Sequence, residues 1–373
     1  MTSSTSLEAK IPSNSGKRLQ FLDGLRGIAI ILVVFYHAYS KRWEEVLPYG
    51  ARYDDLMIFQ FGNYGVQLFF MISGFVIAMT LEKCRSFPDF MLRRWLRLFP
   101  AMLVGSSLIL LMSVFLTERP YGSPHLQDVI PGLLFIEPEP IRALFNIEQG
   151  ILEGSFWTLF VEMKFYIVSG LLYFAVGLRK MIMVLVLMFL SSLLYEFSRP
   201  YLSFNVSEQL DFFYKYSNYQ MYGWFAAGAL FYQYQTSKQL KYWLAGLVIA
   251  LISARGLGGL LSKSMIVATT LVLVFTFSMN SSVLQKMLSN KVLVFFGFIS
   301  YPFYLIHEQA MISMIRQLHH ANLGLPDFLL PYLPILLIIA VAWLIARYLE
   351  PATKSVIKNL IAYRETKGLA IKP

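Results

Sequence analysis

The sequence predicts an all-α fold, a polytopic transmembrane bundle of about ten helices with both termini in the cytoplasm. Three observations lead there: more apolar residues than a water-facing surface can hold, apolar runs of membrane-crossing length, and lysines and arginines gathered in alternate loops. Of 373 residues, 57% are hydrophobic and 14% charged, where soluble domains carry about 25% charged residues. A water-exposed surface needs polar cover, whereas hydrocarbon does not. The net charge of +10 could mark a nucleic-acid binder, but the charges lie in short clusters between apolar runs and form no single basic face, so no nucleic-acid partner is expected. The single cysteine, Cys84, excludes an internal disulfide.

A spanning helix needs about 17 to 25 mostly apolar residues. Ten runs are read as candidates: Leu22–Tyr39, Tyr64–Leu81, Phe99–Thr117, Phe156–Leu178, Met181–Phe197, Gln220–Tyr234, Tyr242–Ala254, Ser264–Met279, Val292–Met314 and Phe328–Leu349. The sixth and seventh are short. Val129–Ile136 is too short to cross and reads as re-entrant or surface-lying. Of the 32 lysines and arginines, 21 fall in the N-terminal region through Arg26, alternate loops and the C-terminal end from Arg347, 10 in the opposite loops, and Lys164 inside a segment. The richer side is cytoplasmic. Residues 1–20 then form a cytoplasmic N-terminal segment, 21–350 the transmembrane domain and 351–373 a basic cytoplasmic tail. The stretch Glu118–Glu153, with six acids and two bases, faces out. The first apolar run reads as a retained helix rather than a cleaved signal, since Asp23 and Arg26 sit at its mouth and many more runs follow.

Ionisable groups inside a bilayer cost energy and so point to function. Arg26 and His37 are eleven residues apart on the first helix. At about 100° and 1.5 Å per residue they share one stripe, separated by about 16 Å. The plain alternative is a snorkelling arginine and a histidine near the outer headgroups. Glu162 lies about 9 Å down its helix from Phe156, where a carboxylate must pair or change its pKa. The alternative for Glu162 is a salt bridge to Lys164 on a neighbouring helix, which the spacing of two disfavours because it turns the two side chains apart. His307 lies about 22 Å along the ninth helix from Val292, with Tyr304 one turn before it. Its plain alternative is a hydrogen bond to a neighbouring carbonyl. By the assigned topology His37, Glu162 and His307 all reach the outer half of the membrane and suggest one buried site. On the cytoplasmic side Arg94 and Arg97 share a helix face, and paired guanidinium groups suit phosphate; the alternative is a membrane anchor on lipid phosphates. His319 and His320 read as a solvated outer loop, with no acid or cysteine at ligand spacing, so no metal is expected. Asn205-Val-Ser207 fits a glycosylation pattern that chance often produces, and Gly256-Leu-Gly-Gly259 lacks the setting of a nucleotide loop.

Taken together these blocks resemble the acyltransferase 3 family of bacterial integral membrane O-acyltransferases. The resemblance rests on Leu22-Asp-Gly-Leu-Arg-Gly27 through Tyr36-His37, on Gly65-Val-Gln-Leu-Phe-Phe-Met-Ile-Ser-Gly-Phe75, on Arg94-Trp-Leu-Arg97 followed by Pro100, and on Ser300-Tyr301 through Tyr304-Leu-Ile-His307. Trp157-Thr-Leu-Phe-Val-Glu162 also matches, except that Thr158 stands where serine is common. The blocks span residues 21 to 307, in the expected order. The resemblance implies a stand-alone enzyme of the bacterial inner membrane. It would move an acyl group, most often acetyl, from cytoplasmic acyl-CoA to a hydroxyl of a surface or exported glycan.

That chemistry needs a base for the acceptor hydroxyl and a group to steady the thioester oxyanion. His37 is the expected base or acyl-handling residue. Glu162 would orient a histidine or the acceptor, and His307 would relay a proton or donate to the oxyanion. Arg26, Arg93, Arg94 and Arg97 would hold the phosphates of CoA, with Asp23, Trp157, Ser300, Tyr301 and Tyr304 supporting the site. Direct transfer and an acyl-enzyme on His37 both fit, and the acceptor and oligomeric state stay open. The rival class is a transporter or flippase with a buried Glu/His proton relay. A transporter built from repeats would carry related halves, which this sequence does not have.

Overall fold

The structure, a computed structural model, describes residues 19–145, 150–255 and 262–366. Among these residues there is no strand. The helices are α1 (Gln20–Tyr39), the short α2 (Met57–Gln60), α3 (Gly65–Leu81), α4 (Phe87–Met112), the short α5 (Val129–Leu134) and α6 (Pro138–Phe145), α7 (Trp157–Ser198) and α8 (Phe204–Ser217). They continue as α9 (Tyr222–Ser237), α10 (Leu240–Arg255), α11 (Lys263–Ser278), α12 (Ser282–Leu288), α13 (Lys291–Ile306), α14 (Glu308–His320), α15 (Tyr332–Leu344) and α16 (Glu350–Thr366). A π-helical turn, Ile345–Leu349, joins the last two.

Five helical stretches are long and apolar enough to cross a membrane: Gln20–Tyr39, Gly62–Leu81, Phe87–Met112, Gly154–Tyr201 and Asp327–Tyr363. Lys263–Ser278 and Ser282–Leu288, bent by 112°, make a sixth if taken as one broken span. Each of the ten expected runs falls on helix, but the remaining ones are shorter or interrupted. Large apolar side chains such as Phe115, Leu187, Leu194, Phe197 and Leu336 stand exposed, which is tolerable against lipid and costly against water. The protein is a multi-pass membrane protein.

Two departures from a straight-helix reading shape the molecule. Gly154–Tyr201 has 48 residues; unbroken it would be about 70 Å long, against a hydrocarbon core of about 30 Å. It breaks at Gly177, where φ is +81° and ψ 169°, a conformation glycine adopts without steric cost. The break falls at the end of the fourth expected run, Phe156–Leu178, just before the fifth. The ninth expected run, Val292–Met314, is likewise interrupted at His307. There the Tyr304 carbonyl accepts from His307 Nδ1 at 2.9 Å and from Ser155 Oγ at 3.3 Å. These side chains compete for the acceptor that a continuous helix reserves for the Glu308 N–H.

Helix α1 packs against α13, and α3 against α9, at backbone contact. A Cβ on Gly27 would lie 2.1 Å from the Leu293 carbonyl oxygen, and one on Gly297 would lie 1.9 Å from that of Asp23. Gly74 and Gly228 leave the same room for Phe225 and Met71. Small residues are what allow such approach between membrane helices. Here they clamp α1 onto α13, so Arg26 and His37 are carried against the helix that bears Ser300, Tyr301, Tyr304 and His307.

Val129–Ile136, expected to be re-entrant or surface-lying, forms α5 beside α4. His319 and His320 close α14 instead of lying in a loop. Asn205 falls inside α8. Residues 1–18, 256–261 and 367–373, which hold the disordered start, the Gly256–Gly259 pattern and the end of the basic tail, lie outside the described residues.

Candidate active site

Two polar chambers lie along α1 and α13. The first begins at a vestibule of about 530 Å3 lined by Asp23, Arg26, Lys83, Arg97, Tyr301 and Glu350 among others. Arg26, Arg97, Tyr301 and Val76 are shared with a smaller inner cavity of about 90 Å3, which adds Ser73, Arg94, Thr158, Glu162, Tyr166, Ser300 and Tyr304. The arginines are held without being consumed. Arg97 Nη1 is 3.7 Å from Glu350 Oε1, and its guanidinium lies over Tyr301 at 5.5 Å. Arg26 Nη1 is 3.9 Å from Asp23 Oδ1. Arg94 donates to Thr80 Oγ1 at 2.7 Å and lies over the Phe90 and Tyr166 rings. Cation–π contacts fix a guanidinium's plane while leaving N–H groups for a ligand.

Glu162 belongs to this chamber. It accepts hydrogen bonds from Ser73 Oγ at 2.7 Å and from Tyr166 OH at 2.5 Å. Lys164 goes elsewhere, to Glu137 at 2.6 Å, Asn218 at 2.8 Å and the Tyr216 carbonyl. The wall towards the second chamber is hydrogen-bonded: Tyr304 OH donates to the Ser155 carbonyl at 3.0 Å and accepts from Thr158 Oγ1 at 2.9 Å. Tyr301 OH donates to the Leu98 carbonyl at 2.9 Å and Ser300 Oγ to Gly297 at 2.8 Å.

The second is a buried polar cluster, with the His37 side chain 12% and that of Glu308 1% exposed. His37 and His307 meet edge to face, ring centres 5.1 Å apart. His37 Nδ1 is 3.3 Å from Glu308 Oε1 and 3.4 Å from the Trp43 indole Nε1. A carbonyl can only accept, so the 2.9 Å contact of His307 Nδ1 with Tyr304 places a proton on Nδ1. His307 Nε2 then has no hydrogen-bond partner among the described residues. His307 is 0% and Glu308 1% exposed.

The polypeptide following α4 packs over this cluster along one face of α14. Tyr121 N–H donates to Gln309 Oε1 at 3.1 Å and Glu118 N–H to Ser313 Oγ at 3.2 Å, while Gln317 donates to the Phe115 carbonyl at 2.7 Å. Glu118 also pairs with Arg316 at 3.2 Å and His320 at 2.7 Å. Glu153, 1% exposed, accepts from the Gln309 N–H at 3.0 Å and faces Arg119 at 3.8 Å. Burial raises the Glu153 carboxyl above its usual range against the pull of Arg119. Among the described residues no group of three or more His, Cys, Asp or Glu could hold a metal ion.

The sequence-derived set therefore divides. Arg26, Arg94, Arg97, Glu162, Ser300, Tyr301 and Tyr304 line the inner cavity, and Asp23 the vestibule. His37 and His307 meet in the buried cluster, but Glu162 does not join them. The carboxylate beside His37 is Glu308. Arg93 lines neither space and pairs with Asp89 at 2.8 Å on the exposed side of α4. Trp157 is 41% exposed, its ring edge-on to Phe70. The plain alternative for His307, a carbonyl bond, is present and still leaves Nε2 unpaired. Sequence reasoning missed Glu308, Ser73, Tyr166 and Glu350. Glu308 was open to the same argument that found Glu162, since it is an acid inside an expected span. Tyr166 lies one turn from Glu162. Ser73 and Glu350 carried no signal beyond their blocks.

An acyltransferase domain model matches residues 19–347. Among curated relatives, an O-acetyl transferase of Shigella phage Sf6 is 28% identical over 45% of this chain and 50% of its own length. Acyltransferase MdmB of Streptomyces mycarofaciens is 31% identical over 42% of this chain and 39% of its own. The peptidoglycan O-acetyltransferase OatA of Listeria monocytogenes is 26% identical over 41% and 24%. The chain thus spans half or less of the length of these relatives. No solved structure matches it. The matched model covers both sites and nearly all the helices that build them, and the chain belongs to the acyltransferase 3 family.

Proposed function

We propose that the protein takes an acyl group, by default acetyl, from cytoplasmic acyl-CoA and transfers it to a hydroxyl of a cell-surface or exported glycan. The observation that carries this reading is the pair of polar sites: an open arginine-lined one at the ends of α1 and α4, and a buried histidine one, reached through the partly exposed His37, at the far end of the same α1–α13 pair. Arg26, Arg94 and Arg97 bind the donor's phosphates, with N–H groups left over from their contacts with carboxylates and rings. The inner cavity, with Ser73, Glu162 and Tyr166, receives the acyl thioester end. His37 takes the acceptor's proton, and His307, held by Tyr304, faces it as the second imidazole. The thioester C–S bond breaks as the ester C–O bond forms, and the proton removed from the hydroxyl balances the leaving thiolate. The relatives named as O-acetyltransferases, one of them for peptidoglycan, support a hydroxyl acceptor.

In this reading ten helices cross the cytoplasmic membrane of a bacterium with both termini inside. Arg26, Lys83, Arg94, Arg97 and Glu350 then lie on the side richer in Lys and Arg. The test is transfer or hydrolysis of acetyl-CoA by purified protein in detergent, beside surface-glycan O-acetylation in cells with and without the gene. Activity that needs acetyl-CoA and leaves an alkali-labile glycan ester is expected. No donor turnover and no change in glycan esters would refute the function.

A further inference from the structure

We propose that Glu308 is the positioning residue for His37: its carboxylate accepts a hydrogen bond from Nδ1–H of that imidazole, which keeps the ring proton on Nδ1 and presents Nε2, bare, as the base. This rests on the reading of His37 as the base and names the carboxylate that serves it. The inference comes from who can share one nitrogen. His37 Nδ1 accepts a hydrogen bond from the Trp43 indole Nε1 at 3.4 Å and lies 3.3 Å from Glu308 Oε1, its rival partner. An indole N–H can only donate. If Trp43 claims Nδ1, the ring proton must sit on Nε2, and the histidine cannot act there as a base. If Glu308 claims it, Nδ1 carries the proton and Nε2 is bare. An ionised Glu308 settles the choice, because a buried carboxylate must find donors.

Few other donors reach it. Glu308 is 1% exposed, and neither oxygen completes a hydrogen bond among the described residues. The Trp43 indole and the Ser155 N–H lie beside the carboxylate. With Nδ1–H turned to Glu308, the indole is released to donate to the carboxylate as well, and Nδ1, indole and carboxylate are all paired. Glu162, which the sequence suggested for this task, already accepts from Ser73 and Tyr166 in the other chamber.

The surroundings hold Glu308 in place from three sides. Gly154 gives it room, since a Cβ there would lie 2.8 Å from one carboxylate oxygen and 3.0 Å from the other. Glu153 anchors the adjoining Gln309 N–H at 3.0 Å, and Tyr121 N–H anchors the Gln309 side chain. The break at His307 lets two successive residues face the same imidazole, His307 by its ring and Glu308 by its carboxylate.

The experiment reads the tautomer directly. Full-length protein labelled with 15N-histidine is reconstituted in bilayers, and the His37 signals are assigned by difference against His37→Gln. Wild type is expected to carry its proton on Nδ1, and Glu308→Gln on Nε2, because the amide and Trp43 then both offer donors to Nδ1. Acetyl incorporation into cell-surface glycan should fall by roughly 10² to 10⁴ in Glu308→Gln, the range that general base catalysis contributes. It should recover in part in Glu308→Asp, with CoA binding unchanged in both. An Nε2–H imidazole in wild type, or an unchanged tautomer and near-normal transfer in Glu308→Gln, overturns the proposal. Full transfer by His37→Gln would instead remove the base reading on which it rests.

Discussion

The two chambers solve opposite problems with the same helices. In the arginine chamber three guanidinium groups stand close together, each loosely occupied: by Asp23 at 3.9 Å, by Glu350 at 3.7 Å, and by a hydroxyl and two rings around Arg94. Nothing there is tight enough to resist an incoming polyphosphate, and the vestibule is open. In the histidine cluster the groups are buried and short of partners: Glu308, His307 Nε2, Gln309 Nε2 and one oxygen of Glu153 all lack a hydrogen bond among the described residues. A chamber that binds and releases an anion keeps exchangeable contacts. One that moves a proton instead keeps reactive atoms away from water, where buried polar atoms interact more strongly. The difference teaches that substitutions in the first chamber should act on donor affinity, and those in the second on rate.

The largest expected effect tests the second half of that statement. General base catalysis contributes about 10² to 10⁴ in rate. His37→Ala and His37→Gln are both predicted to lose transfer by that order while the protein still inserts and binds CoA. A packing role predicts another order, with the glutamine variant active and the alanine variant poorly folded. Single-turnover transfer alongside a thermal melt separates them, and near-normal transfer by the glutamine variant would move His37 to scaffolding.

A smaller effect sharpens the first half. A hydrogen bond to a charged group is worth about 1.5 to 3 kcal/mol. Arg97→Ala is thus expected to raise the apparent acyl-CoA constant by roughly ten- to a hundredfold, at 1.4 kcal/mol per factor of ten. Arg93 carries the same charge four residues from Asp89 but faces away from both spaces. Arg93→Ala should change the constant by less than about twofold, because its charge faces solvent, where it is screened. Equal losses in both variants would mean that the charge of the helix end, and not the chamber, attracts the donor.

The same contrast explains what the sequence made legible. The apolar runs follow from helix geometry alone, and five clear spans stand among the described residues; the Arg94–Arg97 face, read the same way, lines one cavity. The glycines of the first block were legible as letters but not as contacts, because only the α1–α13 pairing shows what Gly27 and Gly297 must clear. Glu162 was placed in the wrong company for a related reason. Depth along a helix can be counted, but the partner chosen at that depth depends on rotation against neighbours, and Ser73 and Tyr166 lie on that side. Glu308 was hidden by treating Val292–Met314 as one straight helix, on which successive residues point about 100° apart. The count of ten spans meets five clear ones because length and hydropathy are lost where a helix breaks, as at His307 and Gly177.

The smallest expected effect has the opposite sign and comes from Glu350. It follows the π-helical turn Ile345–Leu349, and a π-turn, by adding a residue to the helical turn, rotates everything after it. Glu350 thereby lines the vestibule with Ala346 and meets Arg97. A carboxylate on a phosphate-binding arginine competes with the phosphate. Removing its charge should therefore tighten donor binding, whereas removing Arg97 weakens it. Side-chain exposures of 39% for Arg97 and 18% for Glu350 keep the pair partly in water, so an interaction of about 0.2 to 1 kcal/mol is appropriate. That corresponds to roughly a 1.4- to fivefold fall in the dissociation constant for Glu350→Gln. Titration of 3′,5′-ADP into detergent-purified protein by calorimetry would measure it. The gain should shrink as salt rises, because partly exposed charges are screened. Weaker binding by the glutamine variant would mean that Glu350 holds Arg97 in its binding pose instead of competing for it, and the arginine chamber would then depend on its carboxylates as much as on its arginines.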